Sequence, residues 1–200
     1  MRYDREIRYR VPFKTSRPMT EFSEMQLLKR RLFAMRNGVV ADTLRRAGCP
    51  HRIIFGLNLP QLTEIAAEIE PSEELSEQLR ADTALRESAL LAPMLYPIDR
   101  LTYEKAREMA LTAVWHEDAD ILCFKLLRNA PFAARLADEL CKAPDEAPLA
   151  RYTGLRLFFN IVSKYPADAL AAARAELARP QPISTLAAML AEEAEFLLGE

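Results

Sequence analysis

Three acids crowd the segment Trp115–His116–Glu117–Asp118–Ala119–Asp120, directly behind two aromatic rings. A carboxylate held in a shielded cleft can stabilise developing positive charge and place a water molecule. Aromatic faces beside it can hold a cation. The same acids also suit a helix start, where capping and the macrodipole favour them. A second polar and aromatic cluster follows at Arg151 and Tyr152, where Asp145 and Glu146 give the arginine nearby structural partners. Tyr152, Phe158 and Phe159 recur at helical spacing, which suits core or stacking positions.

Other chemistries find less support. Cys49–Pro50–His51 offers two metal-ligand types, but Cys123 and Cys141 fall on separate predicted helices and no second ligand pair has zinc spacing. No metal and no cofactor are expected. Cys123, between Leu122 and Phe124, reads as a buried, inert thiol. There is no nucleophile elbow for Ser–His–Asp chemistry. The five glycines are too scattered to form a phosphate-cradling loop.

These groups need elements to position them, and composition says which kind. The chain has 200 residues, half of them hydrophobic, which is enough for one sizeable core. Five glycines are too few for a protein of many tight hairpins. Most of the 13 prolines fall between apolar periodic segments, where helices start or stop. The longest apolar runs are short, so no membrane span is expected. The N-terminus lacks the apolar stretch of a secretory signal. Three cysteines imply no disulfide framework, and a cytoplasmic location is expected.

Charge is unevenly placed. The formal net charge is −2, yet residues 1–55 hold 13 Lys and Arg against 5 Asp and Glu, a balance of +8. The remainder holds 14 against 24, a balance of −10. A basic first quarter can meet phosphate, an acidic surface, or the acidic remainder of its own chain.

Residues 1–19 read as a basic, extended N-terminal arm, with Ile7, Tyr9, Val11 and Phe13 alternating with Arg8, Arg10 and Pro12. Residues 20–200 read as a single helical domain. Thr20 is expected to cap a helix that Gly38 ends, and a second helix runs over 39–47. Residues 49–58 form a loop with a brief extended piece at 53–55. Helices are then expected from Pro60 to about residue 70, from Ser72 to Ala81, and from an Asp82 cap to Pro97 with Pro93 inside. Further ones run from Thr102 to Trp115, Asp118 to Arg128, Pro131 to Lys142, and over 146–164, 166–179 and 184–198. That is about ten helices with short connectors. The stretches 79–85 and 114–121 share a plan, a third copy runs over 140–155, and steps of about 28–36 residues suit HEAT or armadillo repeats. An all-α helical-repeat solenoid is therefore expected, with a compact helical bundle as the competing architecture.

The segment Phe55–Gly56–Leu57–Asn58–Leu59–Pro60–Gln61–Leu62–Thr63–Glu64–Ile65–Ala66 resembles part of the DNA alkylation repair family. These are HEAT-like-repeat proteins that include glycosylases removing alkylated purines. Leu75–Leu79 followed by Leu85–Leu91 is similar to the family's next helix pair, and the resemblance spans about residues 25–165. It implies a catalytic carboxylate at Asp120, with Glu117 at the first acidic position and His116 where the family carries tryptophan. It implies a partner guanidinium at Arg151, and base contacts from Trp115, His116, Glu117 and Tyr152. A DNA-binding face would carry Arg86, Lys125, Arg128 and Arg156 to the phosphates. Because the second half is acidic, weak and salt-sensitive binding of double-stranded DNA is expected. The alternative is a catalytically silent helical-repeat scaffold for a protein or peptide partner.

Overall fold

The computed structural model describes residues 23–199. The arm expected over 1–19, and the expected cap Thr20, lie outside the described residues.

Polar caps and prolines set where the helices begin. Ser23 opens α1 (Glu24–Ala34) with a capping box closed by Gln26. Gly38 does not end that helix as expected. Asn37 accepts from the Val39 and Val40 amides, so Gly38 is instead the first residue of α2 (Gly38–Arg46). Asn58 and Gln61 form the capping box of α3 (Leu59–Ala67), with Pro60 in its first turn. Ser72 caps α4 (Glu73–Ala81) as expected. Asp82 does not cap the next helix. Residues 83–85 intervene, and Leu85 is bridged to Ile53 in parallel register before α5 (Arg86–Leu95) begins. Asp82 ends α4 and holds Ser88 and Lys29 instead.

Thr102 caps α6 (Tyr103–Leu111), which stops four residues short of Trp115. Helix α7 (His116–Lys125) starts two residues before Asp118 and passes into a 3-10 turn at Leu127–Asn129. Then come α8 (Ala133–Cys141), α9 (Pro148–Ile161), α10 (Pro166–Leu177) and α11 (Ser184–Leu198). Pro148 and Pro166 lie in first turns, where a missing N–H costs no helical bond. The described chain is all-α, and none of its helices is long and apolar enough to cross a membrane.

The helices pack in neighbouring pairs, α4 on α5, α8 on α9 and α10 on α11. Helices α3, α5, α7, α9 and α11 also touch in succession, so every second helix shares one layer. The apolar residues bury in two clusters. One gathers Leu32, Leu62, Leu79, Leu91 and Leu95. The other gathers Leu127, Leu136, Phe158 and Leu190. Ile121 belongs to the first while Leu122 and Cys123 belong to the second, which makes α7 the seam between them.

Two glycines permit close approaches. Gly56 has φ +82, and a Cβ there would lie 2.3 Å from the Asn37 carbonyl oxygen. A Cβ at Gly154 would lie 2.6 Å from the Cys141 amide nitrogen, so α8 and α9 meet backbone to backbone.

Candidate functional site

Helix α7 sends its acids in three directions, because each residue turns the side chain by about 100°. Glu117 faces α5 and receives Arg86 Nε at 2.7 Å. Asp118 faces inward to His51, whose Nε2 lies 3.1 Å from Oδ1. Asp120 faces α9 and remains about one-third exposed, its side chain at 35%.

Asp120 is the centre of a polar and aromatic cluster. Arg156 Nε lies 2.6 Å from its Oδ1, and the Tyr152 hydroxyl donates to the same oxygen at 2.8 Å. Arg156 Nη2 donates to the Tyr152 hydroxyl at 3.1 Å. The His116 ring stands edge-on to Tyr152, with centroids 4.5 Å apart. Burial pushes the Tyr152 phenol above its ordinary value; Arg156 pulls it down and Asp120 pushes it up. Burial works against the Arg156 charge but is outweighed by Tyr152 and Asp120, which hold it firmly protonated.

The cluster belongs to two facing stripes. His116, Asp120, Phe124 and Arg128 recur every four residues from α7 into the following turn, and Tyr152, Arg156 and Asn160 recur likewise on α9. Phe124 is exposed, with the Arg128 guanidinium 4.2 Å from its ring centre and Lys125 Nζ at 5.3 Å. Lys125 also donates to Thr63 at 3.0 Å.

Several sequence expectations take another place. Arg151 is not opposite Asp120. It is 2% exposed and is enclosed by Glu176 at 3.1 Å, the Pro144 carbonyl at 3.0 Å, Asp145 at 3.3 Å and the Gln181 carbonyl at 3.3 Å. Of its two expected neighbours it takes Asp145. The stronger partner, Glu176, is 25 residues on and is itself buried. Arg151 and Arg156 are five residues apart on α9, a rotation of about 140°, so only one can face α7's Asp120. The guanidinium beside the carboxylate is Arg156.

Arg86 is likewise no phosphate ligand. It is buried, and donates to Glu87 at 2.9 Å and the Leu57 carbonyl at 3.1 Å besides Glu117. Glu87, wholly buried, accepts from the amides of Phe55, Gly56 and Leu57. This network ties the Phe55–Gly56–Leu57 loop to α5 and α7 and satisfies an acid and a base that are both buried. Trp115 is half-buried at the residue preceding α7. Glu117 is held by Arg86 and does not join the Asp120 cluster.

Sequence reasoning missed His51 as a partner of Asp118. The imidazole is buried between two acceptors, Asp118 and the Thr83 carbonyl at 3.4 Å. Both contacts are hydrogen bonds only if both ring nitrogens carry protons. The Asp118 hydrogen bond raises His51 above its ordinary 6.5, against the opposing effect of burial. The pair is 67 residues apart, and no local spacing signals it.

The thiols are quiet. Cys123 is buried, donates to the Thr153 carbonyl at 3.5 Å, and is pushed far up by burial. Burial pushes Cys141 up to about 12, and Cys49 is raised for the same reason. Among the described residues, no group of three or more His, Cys, Asp or Glu is placed to hold a metal ion.

No family model matches this chain, and neither a curated protein nor a solved structure matches it.

Proposed function

We propose that this chain is a divergent helical-repeat protein of the DNA alkylation repair kind, which takes duplex DNA carrying an alkylated purine against α7 and α9. The observation that carries this reading is the one-third-exposed Asp120 beside Tyr152 and His116. Alkylation at a purine ring nitrogen makes the base a cationic leaving group, so little acid catalysis is needed. What is needed is a carboxylate facing the charge that develops on the sugar, and aromatic rings beside it. In the hydrolysis, a water oxygen bonds to C1′ and the C1′–N bond breaks. Its electron pair returns to the ring and neutralises it, and the water's proton leaves through Asp120. Arg156 orients the carboxylate and stands in for the guanidinium that the resemblance assigns to Arg151.

Arg128, in the turn after α7, continues the Asp120 side and Lys125 lies about 140° around the helix from Asp120; both stand against the Phe124 ring and are suited to phosphates. Two such cations with acidic surroundings give weak binding that falls steeply with salt.

One observation favours a second reading, a catalytically silent scaffold for a protein or peptide. The Asp120 charge is already matched by Arg156 at 2.6 Å and by the Tyr152 hydroxyl. The two readings separate in one experiment on methylated duplex DNA, scored for free methylpurine and for gel retardation at low salt. Release that is abolished in Asp120→Asn supports hydrolysis. Retardation without release reduces the role to lesion binding. Neither release nor retardation leaves the scaffold.

A further inference from the structure

On the other side of α7 lies a cavity of about 290 Å³. Asp118 and Leu122 border it, while Asp120, about 200° around the helix from Asp118, faces α9. Ala92 and Pro93 of α5, Met109 of α6 and Leu122 make most of the wall apolar. The polar side chains at its border are His51, Arg80, Asp82, Thr83, Thr112 and Asp118. A small, mostly apolar pocket with a few convergent polar groups is the usual form of a small-molecule site.

The hydrogen-bonding state of the lining says what kind of molecule fits. Most of its side-chain donors are committed, the exposed Thr83 hydroxyl apart. His51 serves Asp118 and the Thr83 carbonyl, and the Thr112 hydroxyl serves the Glu108 carbonyl. Arg80 Nη2 serves Glu108 and Thr112. Arg80 Nη1 has no hydrogen-bond partner, but it has no accessible surface, so a molecule in the cavity does not reach it.

An acceptor, on the other hand, is free of its usual bond. Pro93 sits inside α5 and has no N–H, so the Ala89 carbonyl, four residues earlier, lacks its helical donor. Ala89 and Pro93 both line the cavity, and Ala89 is the only residue from 86 to 93 that is not buried. Charge narrows the choice further. Asp82 and Asp118 oppose an anion, and Arg80 and His51 oppose a cation.

We propose that this cavity binds a small, neutral, mostly apolar molecule carrying one O–H or N–H donor, which the Ala89 carbonyl accepts. The site is independent of the DNA reading, since it shares no side chain with the Asp120 cluster.

Four single-ring probes test it by titration of the isotope-labelled full chain, read by NMR: benzyl alcohol, anisole, benzylamine and benzoate. Benzyl alcohol is expected to give saturable shifts at Ala92, Met109 and Leu122. It is expected to bind about tenfold tighter than anisole, which has the same size but no donor, and tighter than either charged probe. Pro93→Ala restores an N–H to the Ala89 carbonyl, and should reduce the preference over anisole to about twofold or less. Ala92→Leu fills the cavity and should abolish binding of benzyl alcohol, with the fold checked by circular dichroism. Absence of saturable binding to wild type, equal affinity for anisole, tighter binding of a charged probe, or a preference that survives Pro93→Ala overturns the proposal.

Discussion

Arg151 and Arg156 occupy one helix, five residues apart, in two different media. Arg151 is closed in by Glu176, two carbonyls and Asp145, with 2% of its surface left. Arg156 lies half-buried beside Asp120 and Tyr152, where solvent reaches all three. The first arginine binds α9 to α10 and to the chain leading into α11. The second shapes a surface that another molecule can touch. An arginine near an acid in sequence therefore says nothing of its task until its face of the helix is known. The same contrast recurs on α7, where Asp118 turns inward and Asp120 outward.

The sharpest way to break this contrast is to truncate both arginines. Arg151→Ala leaves Glu176 buried without its main cation, and should cost about 3–5 kcal/mol in urea unfolding. A loss as small as that of an exposed arginine would mean that the buried pair does not hold α9 in place. Gly154→Ala probes the inner side of α9 through packing instead of charge. Its new Cβ would meet Cys141 and Ala137 backbone atoms under 3 Å away, and about 1–3 kcal/mol of destabilisation is expected. An unchanged urea midpoint would show that the two backbones can part freely.

The inward acid of α7 gives the third test. His51 titrates above 6.5 in the folded chain because Asp118 accepts its proton-bearing nitrogen. Its stabilising effect is then complete below the unfolded value and is lost as pH rises through the higher folded value. Wild-type stability should fall across that window, and Asp118→Asn should cost about 1–2 kcal/mol at low pH and flatten the profile. A profile that is the same in both proteins contradicts the pairing. The smallest effect belongs to the outward cluster. Arg156→Ala should change stability by about 1 kcal/mol or less. Because Arg156 lowers the Tyr152 phenol, its removal should move that titration still higher, as ultraviolet absorbance can follow.

Several helix starts were legible from local rules, although the sequence reading misses the caps at Ser23 and Asn37, which are equally local. Ser72, Thr102, Pro60 and Pro166 start helices through side-chain oxygens or a fixed φ, while the Asn58 cap, two residues before Pro60, reads as loop in the sequence. Asp82 misled because the Ile53–Leu85 bridge, a contact over 32 residues, delays α5. The candidate site was legible in part. Asp120 and Tyr152, both singled out in the sequence, do meet. Arg151 was not placeable, because α9 touches α7, α8, α10 and α11 and so buries side chains around most of its circumference. On such a helix the hydrophobic pattern does not point to one face, and Glu176 gives no local sign that it is buried.

The raised cysteines bear on how this chain meets electrophiles. A sulfur accepts a methyl group readily as thiolate, and all three sulfurs here are kept in the thiol form, two of them by deep enclosure. Alkylating and oxidising reagents alike are therefore expected to modify these three sulfurs slowly while the chain is folded, and quickly once unfolding exposes them.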